Sequence, residues 1–177
     1  GMPGRSNHPM NCVRYVEALA FCSWVGGDLP DIIQWEFAAR SGRHHREANY
    51  PWGAQAPNGS LANFCDKNCE SAMKAQDFDS LAKTKENLPN EDDGYSSTSP
   101  VGNYPAGATD WGLLDMAGNV YTWTKTDSPP SKAGHPLKDV RGGAYAGTVE
   151  NLKITSRPAR NPNNLGPTVG FRCVLPH

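Results

Sequence analysis

Cysteine is the residue type with the widest chemical reach in this 177-residue chain, and there are five: Cys12, Cys22, Cys65, Cys69 and Cys173. Thiolates bind soft metals, act as nucleophiles and close disulfides, and spacing helps to separate these uses. Cys65 and Cys69 bracket Asp66-Lys67-Asn68 in a polar stretch. That spacing reads first as a local disulfide, with free thiols or part of a metal site as the alternatives. A zinc site needs two more ligands, and His44 or His45 would supply them only by long loop excursions. The odd count leaves at least one thiol unpaired or pairing outside the chain. Cysteine usage of this kind points to a secreted, periplasmic or otherwise oxidising compartment.

Other reactive side chains show less pattern. The histidines at 8, 44, 45, 135 and 177 form no Ser/His/Asp arrangement that spacing supports. Arg40, Arg43, His44, His45 and Arg46 make a basic patch that reads as a solvated loop. Trp35, Trp52, Trp111 and Trp123 are expected in the core.

The elements that must position these residues are few. Eighteen glycines and fifteen prolines in 177 residues exceed the usual share, which implies a turn-rich fold and excludes a helical bundle. The net charge of −1 and pI near 6.6 give no electrostatic footprint for nucleic acid or a polybasic membrane contact, and no apolar window approaches a membrane span. Residues 1–7 read as a trimmed linker and residues 8–177 as one domain. A first helix is expected over 14–24, with Tyr15, Leu19 and Cys22 on one stripe, stopped by Gly26-Gly27. A second starts at Leu29-Pro30-Asp31, where Asp31 and Gln34 form a capping box, and ends at Ser41-Gly42. Ile32, Ile33, Trp35, Phe37, Ala38 and Ala39 cover more than half of its surface, as in a helix sandwiched between other elements. A third helix is expected around 71–85 and a solvated acidic loop over 86–93. Short strands are expected at 120–124, 140–145, 153–156 and 169–174.

Several short motifs then fall in order. Leu29-Pro30-Asp31-Ile32-Ile33-Gln34-Trp35-Glu36-Phe37-Ala38-Ala39-Arg40 is followed by Tyr50-Pro51-Trp52-Gly53, Ala62-Asn63 and Pro100-Val101-Gly102. Next come Gly112-Leu113-Leu114-Asp115-Met116-Ala117-Gly118-Asn119-Val120-Tyr121-Thr122-Trp123, Arg141-Gly142-Gly143-Ala144-Tyr145 and Gly170-Phe171-Arg172-Cys173. Over residues 8–175 the chain resembles the formylglycine-generating enzyme, or sulfatase-modifying factor, family. The resemblance implies an irregular, loop-rich α+β fold of C-type-lectin-like type, with two main helices and short antiparallel strands. The family's segment ahead of the first helix has no counterpart here, so the chain reads as the larger C-terminal part of such a domain or a shortened version. The resemblance also implies a Cys22–Cys173 bridge and leaves Cys12 over.

The family's first calcium maps onto the Asn63 side chain, the Phe64 carbonyl, the Asp93 side chain and the Tyr95 carbonyl, a mixed oxygen set of the kind calcium accepts. A second maps onto Asp115, the carbonyls of Gly118 and Val120, and Thr122. There the family carries a glutamate at the last position, so lower affinity is expected. The family's oxidases turn a sulfatase cysteine into formylglycine using molecular oxygen and Cu⁺ held by two cysteines. Counting from Gly142-Gly143-Ala144-Tyr145 places those positions at Leu152 and Arg157, and no cysteine lies between Cys69 and Cys173. The expected cofactor is therefore structural calcium and not copper.

The segment from Ala146 to Pro167 lines the ligand groove in this fold. Its Asn151, Lys153, Arg157, Arg160 and Asn161 suit a peptide, a protein or another polar ligand. The expectation is a non-catalytic, calcium-stabilised binding or structural module, a pseudoenzyme. The alternative is an enzyme, either the copper oxidase or another activity in the same groove.

Overall fold

The computed structural model describes residues 4–42, 47–69 and 91–176. The expected third helix over 71–85, His44 and His45 with their flanking arginines, residues 86–90 of the acidic stretch, and His177 lie outside them.

Helix α1 spans Tyr15–Trp24 and turns Ala18 and Cys22 inward. The backbone N–H of Arg14 donates to the Glu17 carboxylate at 2.7 Å, satisfying one helix-start donor. Gly26, at φ +82°, takes the left-handed conformation that ends the helix. Helix α2 spans Ile32–Ala39. Its start is the expected capping box: Gln34 N–H donates to Asp31 Oδ1 at 2.7 Å, and Asp31 N–H donates to Gln34 Oε1 at 2.9 Å.

Four strands, β1 (Tyr121–Ser128), β2 (Leu137–Arg141), β3 (Ala159–Arg160) and β4 (Val169–Gly170), form a sheet in the order β3-β2-β1-β4. β1–β2 and β2–β3 run antiparallel, while the short edge pair β1–β4 is parallel. The strand expected at 153–156 is a bend and turn, following a short 3₁₀ turn at Val149–Leu152. The third strand instead forms at Ala159–Arg160, because Pro158 offers its carbonyl to the Val140 N–H at 2.9 Å.

α1 packs its inner face on the sheet through Ala18, Cys22, Trp123, Val140 and Val169. Trp123 also donates its indole N–H to the Val13 carbonyl at 3.1 Å, which fixes the approach to α1. α2 packs through Trp35 and Ala39 on Met116 and Ile154. It is not sandwiched as expected: Ile33 is 75% exposed and Phe37 51%. With eight residues it has one inward stripe, and Phe37 instead meets Trp111 edge to face at the surface. Trp111 is accordingly 51% exposed and outside the core.

A charged layer joins α2 to the sheet. Arg141 is fully buried over the Trp35 ring and donates to Glu36 at 2.7 Å. Arg40 donates to the other Glu36 oxygen at 2.9 Å. Burial works to raise the Glu36 pKa, but the hydrogen bonds from Arg40 and Arg141 outweigh it and hold the carboxyl below its usual value.

Candidate metal centre and cleft

The loop at 61–66 and the loop at 91–99 have little regular structure, and polar side chains join them. Asn63 is buried and donates its amide to the Ser97 carbonyl at 2.8 Å. Its own Oδ1 has no hydrogen-bond partner. Asp93, also buried, accepts the Phe64 N–H at 3.0 Å and the Tyr95 N–H at 2.8 Å. The structure thus brings all four residues of the first expected calcium set together.

An orphaned buried amide oxygen beside a buried carboxylate is an unbalanced arrangement, because each costs free energy unless a cation or donor satisfies it. The imbalance shows in Asp93, whose pKa is pushed up to about 7 by burial and by the charges of Asp66 and Asp92, against the two backbone hydrogen bonds. A bound divalent cation would reverse that shift. The donors fit calcium, which accepts mixed amide, carbonyl and carboxylate oxygens.

Sequence reasoning missed two neighbours. Asp66, fully buried, accepts the Asp93 N–H at 2.7 Å, and Tyr104 donates its hydroxyl to the Asp93 carbonyl at 3.0 Å. The only sequence signal for Asp66 was its place inside the Cys65–Cys69 spacing.

The second set behaves differently. Asp115, Gly118, Val120 and Thr122 line a cleft of about 520 Å³, whose apolar wall includes Met10, Val101, Leu114 and Phe171. Asp115 adopts φ +53° and accepts the Gly102 N–H at 2.7 Å. Arg172 donates to the Leu114 carbonyl at 2.9 Å and to the Asp115 carbonyl at 3.3 Å. Burial raises the Asp115 pKa, while the Gly102 hydrogen bond and the Arg172 charge oppose that rise. These residues do not fit a second calcium. A fixed guanidinium sits beside the one carboxylate, and Thr122 adds no charge.

Both expected disulfides are present, Cys22–Cys173 with Cα atoms 5.3 Å apart and Cys65–Cys69 at 4.9 Å, and Cys12 is a free, exposed thiol. Two disulfides suit an oxidising compartment. Leu152, at the first position mapped to copper, is buried against Tyr50, Ala62, Phe64 and Ala117. Arg157, at the second, donates to the buried carboxylate of Asp139 at 2.9 Å.

The expected groove residues are scattered in role. Asn151 accepts the Thr148 N–H at the 3₁₀ turn, Lys153 pairs with Glu150 at 2.7 Å, and Asn161 accepts the Asn163 N–H. Arg160 lies over the Tyr121 ring, 5.2 Å from its centre. The described cleft takes its walls from other segments. No helix among the described residues is long and apolar enough to cross a membrane.

Helices α1 and α2 on a small curled sheet, with long loops held by polar contacts and disulfides, make this an α+β domain of C-type-lectin-like type. Among solved structures, one described as the crystal structure of CarF superposes with a TM-score of 0.72 at 20% identity, covering 99% of this chain and 70% of its own. The model of the sulfatase-modifying factor enzyme 1-like domain matches residues 1–176, so the chain belongs to the sulfatase-modifying factor, or formylglycine-generating enzyme, family. It is 32% identical to a formylglycine-generating enzyme of Mycobacterium tuberculosis, over 96% of this chain and 58% of that protein. It is 30% identical to an inactive C-alpha-formylglycine-generating enzyme 2 of Mus musculus, over 94% of this chain and 48% of that protein. The chain spans about half the length of these curated relatives.

Proposed function

We propose that this domain is a calcium-stabilised, non-oxidase member of the family that binds a peptide, a protein or another polar ligand in a secreted or periplasmic setting. The observation that carries the non-oxidase reading is the thiol inventory. Four of the five cysteines are paired in disulfides, leaving Cys12 as the single thiol. Cu⁺ chemistry of the family's kind needs two thiolates, and the mapped positions hold a buried leucine and a salt-bridged arginine.

Calcium is proposed at Asn63, Phe64, Asp93 and Tyr95, where the orphaned Asn63 Oδ1 and the desolvated Asp93 support it. Once bound, calcium would supply fixed positive charge between a loop anchored in the core by Ala62 and Phe64 and the facing loop at 91–99. The protein's part is positional: Ser97 orients the Asn63 amide, and Tyr104 and Asp66 hold the Asp93 backbone.

Ligand recognition is proposed for the polar surface of 146–167 together with the cleft beside Asp115 and Arg172. Apolar walls with a few polar groups on the rim are the usual composition of a binding site.

The deciding experiment incubates the protein with a sulfatase-type Cys-x-Pro-x-Arg peptide, copper and oxygen, and reads the product by mass spectrometry. Intact cysteine is the expected result. An aldehyde product would overturn the non-oxidase reading. Calorimetric titration with calcium, expected to show one site lost in Asn63→Ala, tests the metal reading separately.

A further inference from the structure

The Cys65–Cys69 disulfide begins one residue after the proposed calcium donors Asn63 and Phe64. It closes a ring of only five residues. Such a short ring removes little freedom from the unfolded chain, so the main effect of this bond is local.

What the ring encloses is the Asp66 carboxylate. Asp66 is fully buried and takes three backbone N–H groups: Asn68 at 2.8 Å and Cys69 at 3.2 Å from inside the ring, and Asp93 at 2.7 Å from the facing loop. Two further contacts tie the ring to the same loop. Asn68 donates its side-chain amide to Asp92 at 2.7 Å, and Lys67 pairs with Asp92 at 2.9 Å. The two contacts inside the ring fix Asp66, and the other three reach Asp93, which carries the proposed metal carboxylate, or its immediate neighbour Asp92.

We propose that the Cys65–Cys69 disulfide is a redox latch on the calcium site, with Asp66 as the positioning residue between bond and metal. This rests on the calcium reading given above. Closed, the ring seats Asp66 under the Asp93 amide and so fixes where the Asp93 carboxylate points. A dithiol reductant opens it: the S–S bond breaks, two electrons and two protons pass to the two sulfurs, and the reductant leaves as its own disulfide. The freed segment regains backbone conformations that the ring excludes, Asp66 no longer holds Asp93 in register, and calcium affinity falls.

The coupling runs both ways. Cys65 and Cys69 are 3% and 1% exposed, so a reductant reaches them only when the loop lifts away. Lifting it breaks the Asp66–Asp93 contact. A cation that needs Asp93 in place therefore opposes reduction, and linkage makes the two effects equal in free energy.

Two measurements on the intact protein, with calcium chloride as the probe, test this. In calorimetric titration, Cys65→Ser/Cys69→Ser and Asp66→Asn should each bind calcium at least tenfold more weakly than wild type. The calcium-induced rise in Tm should shrink with them, a readout that a purely structural role would leave alone. In the second, wild-type protein is treated with dithiothreitol and trapped by alkylation. Mass spectrometry should find Cys65 and Cys69 labelled several-fold more slowly with calcium than without, and Cys22 and Cys173 labelled at one rate in both. If the cysteine variant does not fold, Asp66→Asn and the labelling experiment still decide. Variants that bind calcium like wild type, or labelling indifferent to calcium, overturn the latch and leave the calcium site standing. Wild-type protein that binds no calcium overturns both.

Discussion

Asn119 and Ser99 exchange hydrogen bonds across the centre of the domain: Ser99 N–H donates to Asn119 Oδ1 at 3.1 Å, and the Asn119 amide donates to the Ser99 carbonyl at 3.2 Å. The same asparagine gives its backbone N–H to the Asn63 carbonyl at 2.8 Å and accepts the Tyr145 N–H at 2.9 Å. It sits at φ +62°, a region that asparagine enters more readily than most residues. One residue thus splices three segments, its side chain holding the 99 loop and its backbone the 63 loop and the turn after β2. Asn119→Ala leaves two buried backbone groups unpaired and should cost about 2–4 kcal/mol, read by urea unfolding. A loss below about 1 kcal/mol would show that water replaces both bonds.

The stability of the calcium-free domain should depend on pH through Asp93. Its folded-state pKa of about 7 lies above its ordinary value of 3.8, so the folded state holds a proton that the unfolded state releases between those values. Its contribution is fully present below the unfolded value and is lost as pH rises through about 7. With EDTA present, the melting temperature should therefore fall between pH 5 and pH 8. Saturating calcium should remove or reverse that slope, because the metal binds ionised Asp93. Parallel slopes with and without calcium would speak against metal at Asp93.

Breaking the Glu36–Arg141 pair should hurt more than a surface ion pair. Arg141 is 1% exposed and Glu36 37%, so Glu36→Ala strands a buried guanidinium while water reaches only the glutamate side. The expected cost is about 2–3 kcal/mol, the low side of the range for breaking a buried pair. Because the carboxyl of Glu36 is held below its usual pKa, its contribution is present above the unfolded value and lost as pH falls through the folded one. The mutant and wild-type stabilities should converge in acid, measured by chemical denaturation across pH.

Arg157→Ala should destabilise the domain, because it uncovers the buried carboxylate of Asp139. Ser128 remains as the other side-chain partner of Asp139, so a cost of about 1–3 kcal/mol is expected. Adding Asp139→Asn should recover part of the loss by removing the stranded charge. No recovery in the double variant would show that the cost comes from lost packing of the arginine stem.

How much of this was legible in the sequence depended on whether the information was local. The α2 start was readable because Asp31 and Gln34 satisfy each other within one turn. The end of β1 was not. Lys125-Thr126-Asp127-Ser128 has no apolar alternation, and Asp127 and Ser128 belong to the strand because Lys138 and Leu137 pair with them across the sheet. The exposure of Ile33 and Phe37 was equally hidden, since composition does not say how many neighbours a helix has. For the proposed calcium site, the family resemblance singled out Asn63, Phe64, Asp93 and Tyr95, and the fold places them near one another. Asp66 needed the amide of Asp93, which only the fold brings within reach. The cleft was invisible for the same reason, its lining arriving from well-separated stretches around positions 8–10, 101–102, 114–122 and 171–172.

The Cys22–Cys173 bond spans 151 positions of sequence, so all four strands and the loops at 61–66 and 91–99 lie inside one covalent ring. A tension applied on either side of that ring is carried across the sulfur–sulfur bond and not along the polypeptide between the two cysteines. The strands inside cannot be drawn out end to end while that bond lasts, and only the contacts that the N-terminal arm makes with them, such as Asn11 with Gly170, are exposed to the pull. A single protease cut between those cysteines likewise releases nothing, and the two pieces separate only after reduction.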